Sequence, residues 1–509
     1  MKIGLLKNEH GWIRILEQEK IQYELVKFKN LNKYALLVIN SIFLEREELD
    51  KIKNYVNNGG VILTNSLFLK NLDKSKKISK IYVKSLYAKN ELFRNIDRIN
   101  LQIFCYKIKN SNLIYKSKFG KGFIIALPFD LNKLMQDNRS KTLYLPSPYS
   151  PLKENISLVS KGNLRRLIVN CLQYLHFFRG IPYTHLWYYP NNYDSIFAYR
   201  IDLDVLNRNE MNNIIEIIKN NRISFTWFLS VINNKNFENE LMSLKRLKQD
   251  LQSHSYKHKV YDSFEENYEN ILQAKRFISR INKNQVGFAA PFGYWNHNLS
   301  KALEKLNYLY SSEFSLSYDD FPFYPLKSNV LQIPIYPTCI GLMKQLLYSR
   351  KKMKNYFNYL IEMQYKKQMP LFFYDHPNDG VGIYPDVLEY LLKKINKLDN
   401  ILITNLTEFA KFWKEREKIK FKINLSNNKL KIITINKNDF YLRIIFPGYK
   451  EARVKLKNQL IDFDRLNTKE IQSFKDIRLR NIDIIKSKFL FYLFYIKILI
   501  KAVKRRILN

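Results

Sequence analysis

Between residues 195 and 417, short apolar runs typical of strands alternate with longer amphipathic patterns typical of helices. The predicted strands, apart from the histidine-bearing segment near residue 254, are 196–204, 223–231, 286–292, 309–314, 330–336, 370–376 and 400–405. The predicted helices include 209–221, 237–247, 263–281, 342–367, 384–398 and 406–417. Repeated β/α units of this number predict a barrel, in which functional residues lie at the C-terminal ends of the strands.

Polar residues cluster at two of these strand ends. Strand alternation places Arg200, Asp202 and Asp204 on one face. His254 and His258 are spaced i and i+4, and we expect them on one face of a helical turn, where both offer nitrogens to one cation. An isolated histidine pair is a weak signal, but the chain has only seven histidines in 509 residues. Two imidazoles and one carboxylate are a ligand set that zinc accepts, and they leave a fourth coordination position open for water.

Four separated segments resemble the motifs of the polysaccharide deacetylase family, which comprises metal-dependent carbohydrate esterases built on an incomplete (β/α) barrel. The segments are RIDLD at 200–204, HSYKH at 254–258, GFAAPFG at 287–293 and LFFYDHP at 371–377. The resemblance covers about residues 183 to 415, and HSYKH is its most specific part. Each segment has an ordinary structural explanation on its own, but their joint occurrence in this order favours the family.

The resemblance implies roles for the first two segments. Asp202 corresponds to the general base, and Asp204, His254 and His258 correspond to the metal ligands. We expect a divalent cation, with zinc as the expected metal, and no organic cofactor. Such a cation polarises the carbonyl and lowers the pKa of its water toward about 7, so that Asp202 can take the proton.

The other two segments complete the expected catalytic set. The backbone N–H of Phe292 corresponds to the oxyanion donor, and His376 corresponds to the acid that protonates the leaving amine. Ala289 stands where the family has an arginine that holds the base. Arg200 lies two residues before Asp202 on the same strand face, so we expect it to replace that arginine. Residues 187–190, with the aromatics Trp187, Tyr188 and Tyr189, are further candidates for a sugar groove, as are Trp227, Tyr294 and Trp295.

The resemblance implies an enzyme that hydrolyses carbon–nitrogen amide bonds other than peptide bonds. The expected reaction removes N-acetyl or O-acetyl groups from an amino-sugar polysaccharide of the cell envelope, or from its lipid-linked precursor. Ala289 motivates an alternative, a degenerate and non-catalytic carbohydrate- or metal-binding module of the same fold. Metal content combined with turnover of acetylated sugars separates the two.

Residues 1–140 are predicted to form a Rossmann-like domain, because strands and helices alternate there as well. The segments YVNNGGVI at 55–62 and GKGF at 120–123 resemble class I glutamine amidotransferase-like domains. In those enzymes the catalytic cysteine sits at a sharp turn after a strand, whereas Cys105 lies inside an apparent strand without flanking glycine. We therefore expect a non-catalytic domain.

The remaining segments differ in character. Residues 141–182 are predicted to be a proline-containing connector and a helix, residues 183–417 the deacetylase-like barrel, and residues 418–470 a small β-rich domain. Residues 471–509 form a basic amphipathic tail, in which an aromatic and aliphatic run is too short to span a membrane comfortably. After Asp483 the tail has seven basic residues and no acids, which predicts binding to an anionic membrane surface.

Composition bears on partners and location. Lys and Arg number 85 against 46 Asp and Glu, a net charge of +39 that attracts anionic lipid or nucleic acid. The basic residues are spread along the whole chain without a nucleic-acid-binding motif, so we do not expect a nucleic-acid partner. Three separated cysteines and the absence of a signal-like apolar run near the N-terminus predict a cytoplasmic protein. Because of the basic tail, we also expect the protein to bind peripherally at the inner face of the membrane.

Overall fold

The computed structural model describes residues 2–41, 43–142, 154–345, 347–435 and 439–471, together with Ile496 and Ile500. Almost all of the predicted basic tail, 471–509, therefore lies outside the described residues. Within the described part of the chain, no helix combines the length and the apolar character needed to cross a membrane. The chain divides into two compact units, which are described separately below.

The first unit comprises Met1–Asp137, Val159–Asn192 and Phe412–Phe474. Its largest sheet has six strands, of which the first five in spatial order are parallel and the last is antiparallel. In spatial order the strands are Tyr23–Leu25, Lys2–Leu5, Tyr34–Ile39, Val61–Asn65, Gly122–Leu127 and Tyr115–Phe119. This is the order of a doubly wound sheet closed by a hairpin.

Local sequence features explain the connection from the helix Arg46–Asn57 to the strand Val61–Asn65. The helix Arg46–Asn57 begins where the Glu48 side chain accepts the backbone N–H of Glu45. It is followed by Gly59 at φ 99°, a left-handed conformation that favours glycine. The chain then turns directly into the buried strand Val61–Asn65, as the glycine pair predicts.

The other elements of the first unit form three smaller sheets and several helices. The two-stranded sheet pairs Ile78–Leu86 with Ile99–Ile108. The four-stranded sheet contains, in spatial order, Tyr183–Leu186, Tyr441–Phe446, Lys450–Lys455 and Lys469–Glu470. The three-stranded sheet contains Phe421–Ser426, Lys429–Thr434 and Gln459–Asp462. The remaining helices are Ser66–Leu72, Leu131–Met135, Lys161–Phe178 and, near the N-terminus, His10–Glu19. Cys105 lies within a strand, and burial raises the pKa of its thiol to about 11, which suits a packing role.

The compact units group the chain differently from the five segments expected from the sequence. The β-rich strands after residue 418 belong to the same unit as the N-terminal sheet. Strand Tyr183–Leu186, at the start of the expected barrel segment, pairs antiparallel with Tyr441–Phe446 in that unit. The apolar periodicity of a segment predicts whether it forms a helix or a strand. It does not predict which sheet a strand joins, because strand pairing involves residues far apart in sequence.

A buried ionic network connects the sequence segments of the first unit. The Glu19 side chain is fully buried and accepts hydrogen bonds from Arg165 at 2.5 Å and from the Tyr188 hydroxyl at 2.7 and 2.9 Å. Arg416 donates to the backbone of the same helix end and to the Trp187 carbonyl. Burial opposes the charge on Glu19, but the surrounding positive groups, with Arg165 first, hold its pKa below the usual value.

The second unit contains Asn138–Leu158 and Tyr193–Lys411. Eight strands form a parallel sheet, in which Ile401–Ile403 pairs with the start of Ser195–Leu203. The other strands in spatial order are Leu331–Gln332, Tyr310–Ser311, Gly287–Phe288, Asp250–Ser253, Thr226–Leu229, Ser195–Leu203 and Leu371–Asp375. The Tyr336 N–H donates to the Phe372 carbonyl at 3.0 Å and links the two ends of this curled sheet. The sheet has the form of an incomplete (β/α) barrel.

Helices alternate with these strands, and the short strands Ser140–Thr142 and Asn155–Ser157 pair beside them. The helices are Arg208–Asn221, Val231–Asn234, Glu238–Arg246, Phe264–Ile281, His297–Lys305, Ile340–Gln345, Arg350–Lys366, Pro385–Ile395 and Leu406–Lys418, the last of which continues into the first unit. The single long helix expected over 342–367 is wrong. Leu347 has a left-handed backbone, and the Ser349 side chain caps a new helix by accepting the Lys352 N–H at 3.3 Å.

Candidate metal and catalytic site

The strand Ser195–Leu203 carries a buried ion pair at its C-terminal end. Arg200 and Asp202 are two residues apart on one face, as strand alternation predicts. The Arg200 Nε donates to Asp202 Oδ1 and its Nη2 donates to Asp202 Oδ2, each at 2.6 Å. Both side chains are buried, so this fork-shaped pair is shielded from solvent. The pairing fixes the orientation of the Asp202 carboxylate.

The surroundings of Arg200 hold the pair in place. Its Nη1 donates to the carbonyl of Ser312, and its guanidinium lies 5.1 Å from the ring centre of Phe228 and 5.6 Å from that of Tyr374. Burial opposes the charged form of Asp202, but the Arg200 guanidinium together with His254 and His376 keeps the pKa of the carboxyl below its usual value. Asp202 is therefore ionised at neutral pH and able to accept a proton.

Asp204 lies just after the strand and meets three histidines. Its Oδ1 is 3.0 Å from His258 Nε2 and 3.4 Å from His254 Nε2, while its Oδ2 is 3.7 Å from His376 Nε2. Oδ1 is buried and has no hydrogen-bond partner among the described residues, although two imidazole nitrogens face it. One cation shared by Asp204, His254 and His258 would satisfy these atoms, so the residues fit a divalent metal.

The orientation of His254 comes from the main chain of a distant segment. Its Nδ1 lies 2.7 Å from the carbonyl oxygen of Ala289. A carbonyl only accepts hydrogen bonds, so Nδ1 carries a proton, and in the neutral ring Nε2 keeps its lone pair toward Asp204. Both His254 and Ala289 are buried. Ala289 therefore supports the metal-ligating geometry through its backbone, although its side chain is only a methyl group.

The expectation that the two ligand histidines lie on a helical turn is wrong. His254 directly follows the strand Asp250–Ser253, and the chain continues as a non-helical turn in which Ser255 and His258 have φ values of 66° and 49°. The Lys257 N–H donates to the Asn270 side chain at 2.8 Å, which ties this turn to the helix Phe264–Ile281. Left-handed non-glycine residues are uncommon and are enriched at functional sites.

A second turn with unusual backbone geometry borders the site. Phe292 has φ 59° and is followed by Gly293 at φ 64°, where a Cβ would also meet the ring of Phe314. Phe292 is 74% exposed, and the centre of its ring lies 5.1 Å from that of the His258 ring. Among the described residues, the Phe292 backbone N–H has no hydrogen-bond acceptor. This donor is thus available beside the histidine pair.

Sequence reasoning missed Glu313, which anchors this turn. Its Oε1 accepts the Ala290 N–H at 2.9 Å and the hydroxyl of Ser311. The side chain is buried, and burial raises the pKa of its carboxyl. The available signal was an acid at the end of the predicted strand 309–314, a position that resembles those of Asp204 and His376.

His376 follows the strand Leu371–Asp375 and is supported by the residue before it. The backbone N–H of His376 donates to Asp375 Oδ1 at 2.9 Å, and Asp375 Oδ2 accepts the Ile340 N–H at 2.7 Å. Burial raises the pKa of Asp375 to about 6. Cys339 also approaches Asp375 and His376, but burial raises the pKa of its thiol well above the usual value. The Asp204 group is therefore the better cation site.

Four of the six expected groove aromatics are buried and do not face substrate. Trp187, Tyr189 and Trp227 are fully buried and Tyr188 is nearly so, and residues 187–190 belong to the first unit. Tyr294 is exposed and Trp295 is half-buried, and both follow the turn at Phe292. Aromatic residues are large enough to dominate a core, which is why their sequence positions alone do not predict a sugar site.

Comparison with known proteins adds to this geometry. Residues 201–311 match the family model of polysaccharide deacetylases. The chain carries a polysaccharide deacetylase domain. Residues 1–147 match a second family, described as an uncharacterised protein conserved in bacteria. The resemblance of this region to amidotransferase-like domains stays a prediction. No curated protein matches the sequence.

Solved structures similar to the chain include proteins described as polysaccharide deacetylases. One from Mycobacterium smegmatis has a TM-score of 0.40 and 11% identity, covering 48% of this chain and 98% of its own. One from Pseudomonas aeruginosa has a TM-score of 0.39 and 13% identity, covering 45% and 93%. A CE4 family pseudoenzyme from Bacillus anthracis has a TM-score of 0.32 and 16% identity, covering 44% and 66%.

Proposed function

We propose that the deacetylase domain is a metal-dependent hydrolase that removes N-acetyl or O-acetyl groups from an amino-sugar polysaccharide or its lipid-linked precursor. One observation carries the proposal. The Asp204 carboxylate faces His254 and His258 through one oxygen and His376 through the other. Ligands and a proton donor are thereby gathered around one point, at the strand ends where barrel enzymes have their sites.

Asp204, His254 and His258 would hold the cation, with zinc as the expected metal because two imidazoles and one carboxylate suit it. A bound divalent cation would supply the positive charge that polarises an acetyl carbonyl and acidifies a water molecule. The protein contributes the direction of the ligands. The Ala289 carbonyl orients His254, and the turn at His258 brings the second imidazole to the same carboxylate oxygen.

The proton transfers fall to the remaining side chains. Asp202, held by Arg200, takes the proton from the attacking water, which requires its ionised form. The Phe292 N–H donates to the oxyanion that develops on the acetyl carbonyl. His376, on the opposite oxygen of Asp204, gives a proton to the leaving amine. Every change of charge in the reaction thus has a facing group of suitable chemistry.

Ala289 keeps a second candidate function open, a non-catalytic module that binds carbohydrate or metal. The family arginine is absent at this position. Against this alternative, the Arg200 guanidinium already makes two hydrogen bonds to the Asp202 carboxylate. The base therefore has its charge-assisted partner without any contribution from the side chain at 289.

The deciding experiment measures acetate release from acetylated chitooligosaccharides by the full chain reconstituted with zinc. We expect turnover by the wild type and a loss of about 1000-fold or more in Asp202→Asn, with zinc still bound. Asp262→Asn, an exposed acid in the same unit, is the matched control and should keep wild-type turnover. A zinc-loaded wild type that releases no acetate would support the non-catalytic alternative.

A further inference from the structure

Exposed apolar side chains are concentrated at one place in the deacetylase domain. Six large apolar residues are exposed among the described residues of 193–411, and the four that follow strand ends are Val205, Ile232, Phe292 and Tyr294. Isolated apolar residues are normal on protein surfaces, but a group of them at a functional site indicates contact with a ligand. The group therefore has to be located relative to the metal ligands.

Two aliphatic members lie beside Asp204. Val205 is its direct neighbour in the chain, and the carbonyl of Asp204 accepts a hydrogen bond from the Asn233 side chain at 3.1 Å. Ile232, which precedes Asn233, donates its backbone N–H to the Tyr256 carbonyl at 2.9 Å. Ile232 is thus held between the Asp204 loop and the histidine-bearing turn. Val205 is 46% exposed and Ile232 is 41% exposed.

The third member lies on the other side of the histidine pair. The Phe292 ring contacts the His258 ring edge-to-face, with 5.1 Å between the ring centres. The strands that precede Val205, Ile232 and Phe292 belong to one run of four adjacent strands in the sheet. We call Val205, Ile232 and Phe292 the apolar rim. It borders the ligand-bearing loops directly.

The chemistry of the apolar rim favours an alkyl chain. The hydroxyl groups of a sugar gain nothing from valine and isoleucine side chains, whereas covering these side chains with methylene groups removes apolar area from water. The three residues are between 41% and 74% exposed, so the rim is a shallow surface and not an enclosed acyl pocket. A chain that leaves the site along the protein surface fits this form better than an acyl group at the reacting carbonyl.

We propose that the substrate is an acetylated amino sugar joined to a lipid, whose aliphatic chain lies on the apolar rim while the acetyl group is cleaved at the metal site. The inference rests on the proposed function and selects the lipid-linked form of the substrate over a free polysaccharide. Chain length of the aglycone then becomes a determinant of specificity that acts through apolar contact alone.

The test uses alkyl glycosides of N-acetylglucosamine with methyl, butyl, hexyl and octyl aglycones, all held below their critical micelle concentrations. We expect kcat/KM of the zinc-loaded full chain to rise with chain length and to be about 10-fold or more higher for octyl than for methyl. The double variant Val205→Asn, Ile232→Asn should reduce this octyl-to-methyl ratio to near one.

Leu326→Asn is the matched control, because Leu326 is exposed but precedes a strand instead of following one. It should keep the wild-type ratio. A ratio reduced equally by the control would overturn the assignment of the effect to the rim. Circular dichroism and bound zinc, measured for each variant, show that a changed ratio does not arise from unfolding or metal loss.

Two further results separate this inference from the proposed function. If neither the glycosides nor acetylated chitooligosaccharides release acetate, the proposed function fails and the inference fails with it. If acetate is released equally well from methyl and octyl glycosides, only the inference fails. A preference for longer N-acyl groups, without any preference among aglycones, would assign the aliphatic chain to the leaving acyl group and would also overturn the proposal.

Discussion

The Nδ1 atom of His254 lies 2.7 Å from the carbonyl oxygen of Ala289. The position at which the resembling family has an arginine therefore still serves the metal site, but through its main chain. The guanidinium that pairs with Asp202 comes from Arg200. Both Ala289 and Arg200 are buried, so a guanidinium at position 289 would add a second buried charge beside Arg200.

Moving the arginine from position 200 to position 289 tests whether Arg200 replaces the arginine that the family has at position 289. We expect Arg200→Met to lower turnover by about 10- to 1000-fold while zinc stays bound, because Asp202 loses its positioning contact. Ala289→Arg should unfold more easily, because it adds a second buried cation. The double variant should recover part of the lost activity and stability. Turnover and urea unfolding measure both effects, and unchanged turnover in Arg200→Met would exclude the role of Arg200.

Zinc binding should depend on both histidines that face Asp204 Oδ1. We expect His254→Ala and His258→Ala each to lower the affinity for zinc by at least about 10-fold. Metal analysis after dialysis should then find less bound zinc in both variants than in the wild type. His297→Ala is the matched control, since His297 contacts the Trp295 ring edge-to-face and lies outside the cation group. Full zinc occupancy in both ligand variants, with folding intact, would contradict the ligand assignment.

Asp375 predicts a pH dependence of stability. Its pKa is raised by burial to about 6, so the folded state keeps a proton that the unfolded chain, with a pKa of about 4, has already released. Stability therefore falls as pH rises from about 4 to 6, by roughly 3 kcal/mol in total. Asp375→Asn removes this dependence. Urea unfolding from pH 4 to 7 should show the wild type losing stability relative to the variant as pH rises, whereas a constant difference would contradict the prediction.

The buried Glu19 should be a major source of stability in the first unit. Glu19→Gln leaves Arg165 with an uncompensated buried charge, so we expect the free energy of unfolding at pH 7 to fall by about 3 kcal/mol or more. Because the pKa of Glu19 is lowered on folding, this contribution is present above about pH 4 and is lost at lower pH. Glu24→Gln, which breaks solvent-accessible ion pairs, should change stability by less than about 1 kcal/mol.

The basic tail should bind anionic lipid. Its seven cations after Asp483 lie beside aromatic and aliphatic residues, a combination that binds the surface of charged bilayers. Sedimentation with phosphatidylglycerol vesicles should bring down the full chain and much less of a chain ending at Ile485, and added salt should weaken the binding. Equal sedimentation of the two chains would contradict the prediction.

The β/α order of the deacetylase domain was predictable, because apolar periodicity is a local property of each segment. The strand over 196–204 and its polar face appear in the structure as the sequence predicts. The spacing of His254 and His258 did not predict their local structure, since an i, i+4 pair also converges across a left-handed turn. That turn depends on Asn270, a residue of the following helix, which no local pattern reveals.

Glu313 was missed for a related reason. Its function in the fold is to accept the backbone N–H of Ala290, a contact across 23 residues that leaves no periodic signal. The break between the helices Ile340–Gln345 and Arg350–Lys366 was also missed, because the apolar pattern continues through it while Leu347 adopts a left-handed backbone. Periodicity predicts which face is buried, but it does not predict where a backbone reverses.

The ion pair formed within Ser195–Leu203 has a consequence for how this protein can vary. Because both partners belong to one strand, no loop has to close to bring them together, and their alignment is complete once that strand has formed. The turn at 289–293 therefore does not have to supply an arginine to the base. The side chain at 289 has no part in holding the base, so another small residue is tolerated there during evolution or engineering, as long as the main chain of the turn keeps its two hydrogen bonds with His254 and Glu313.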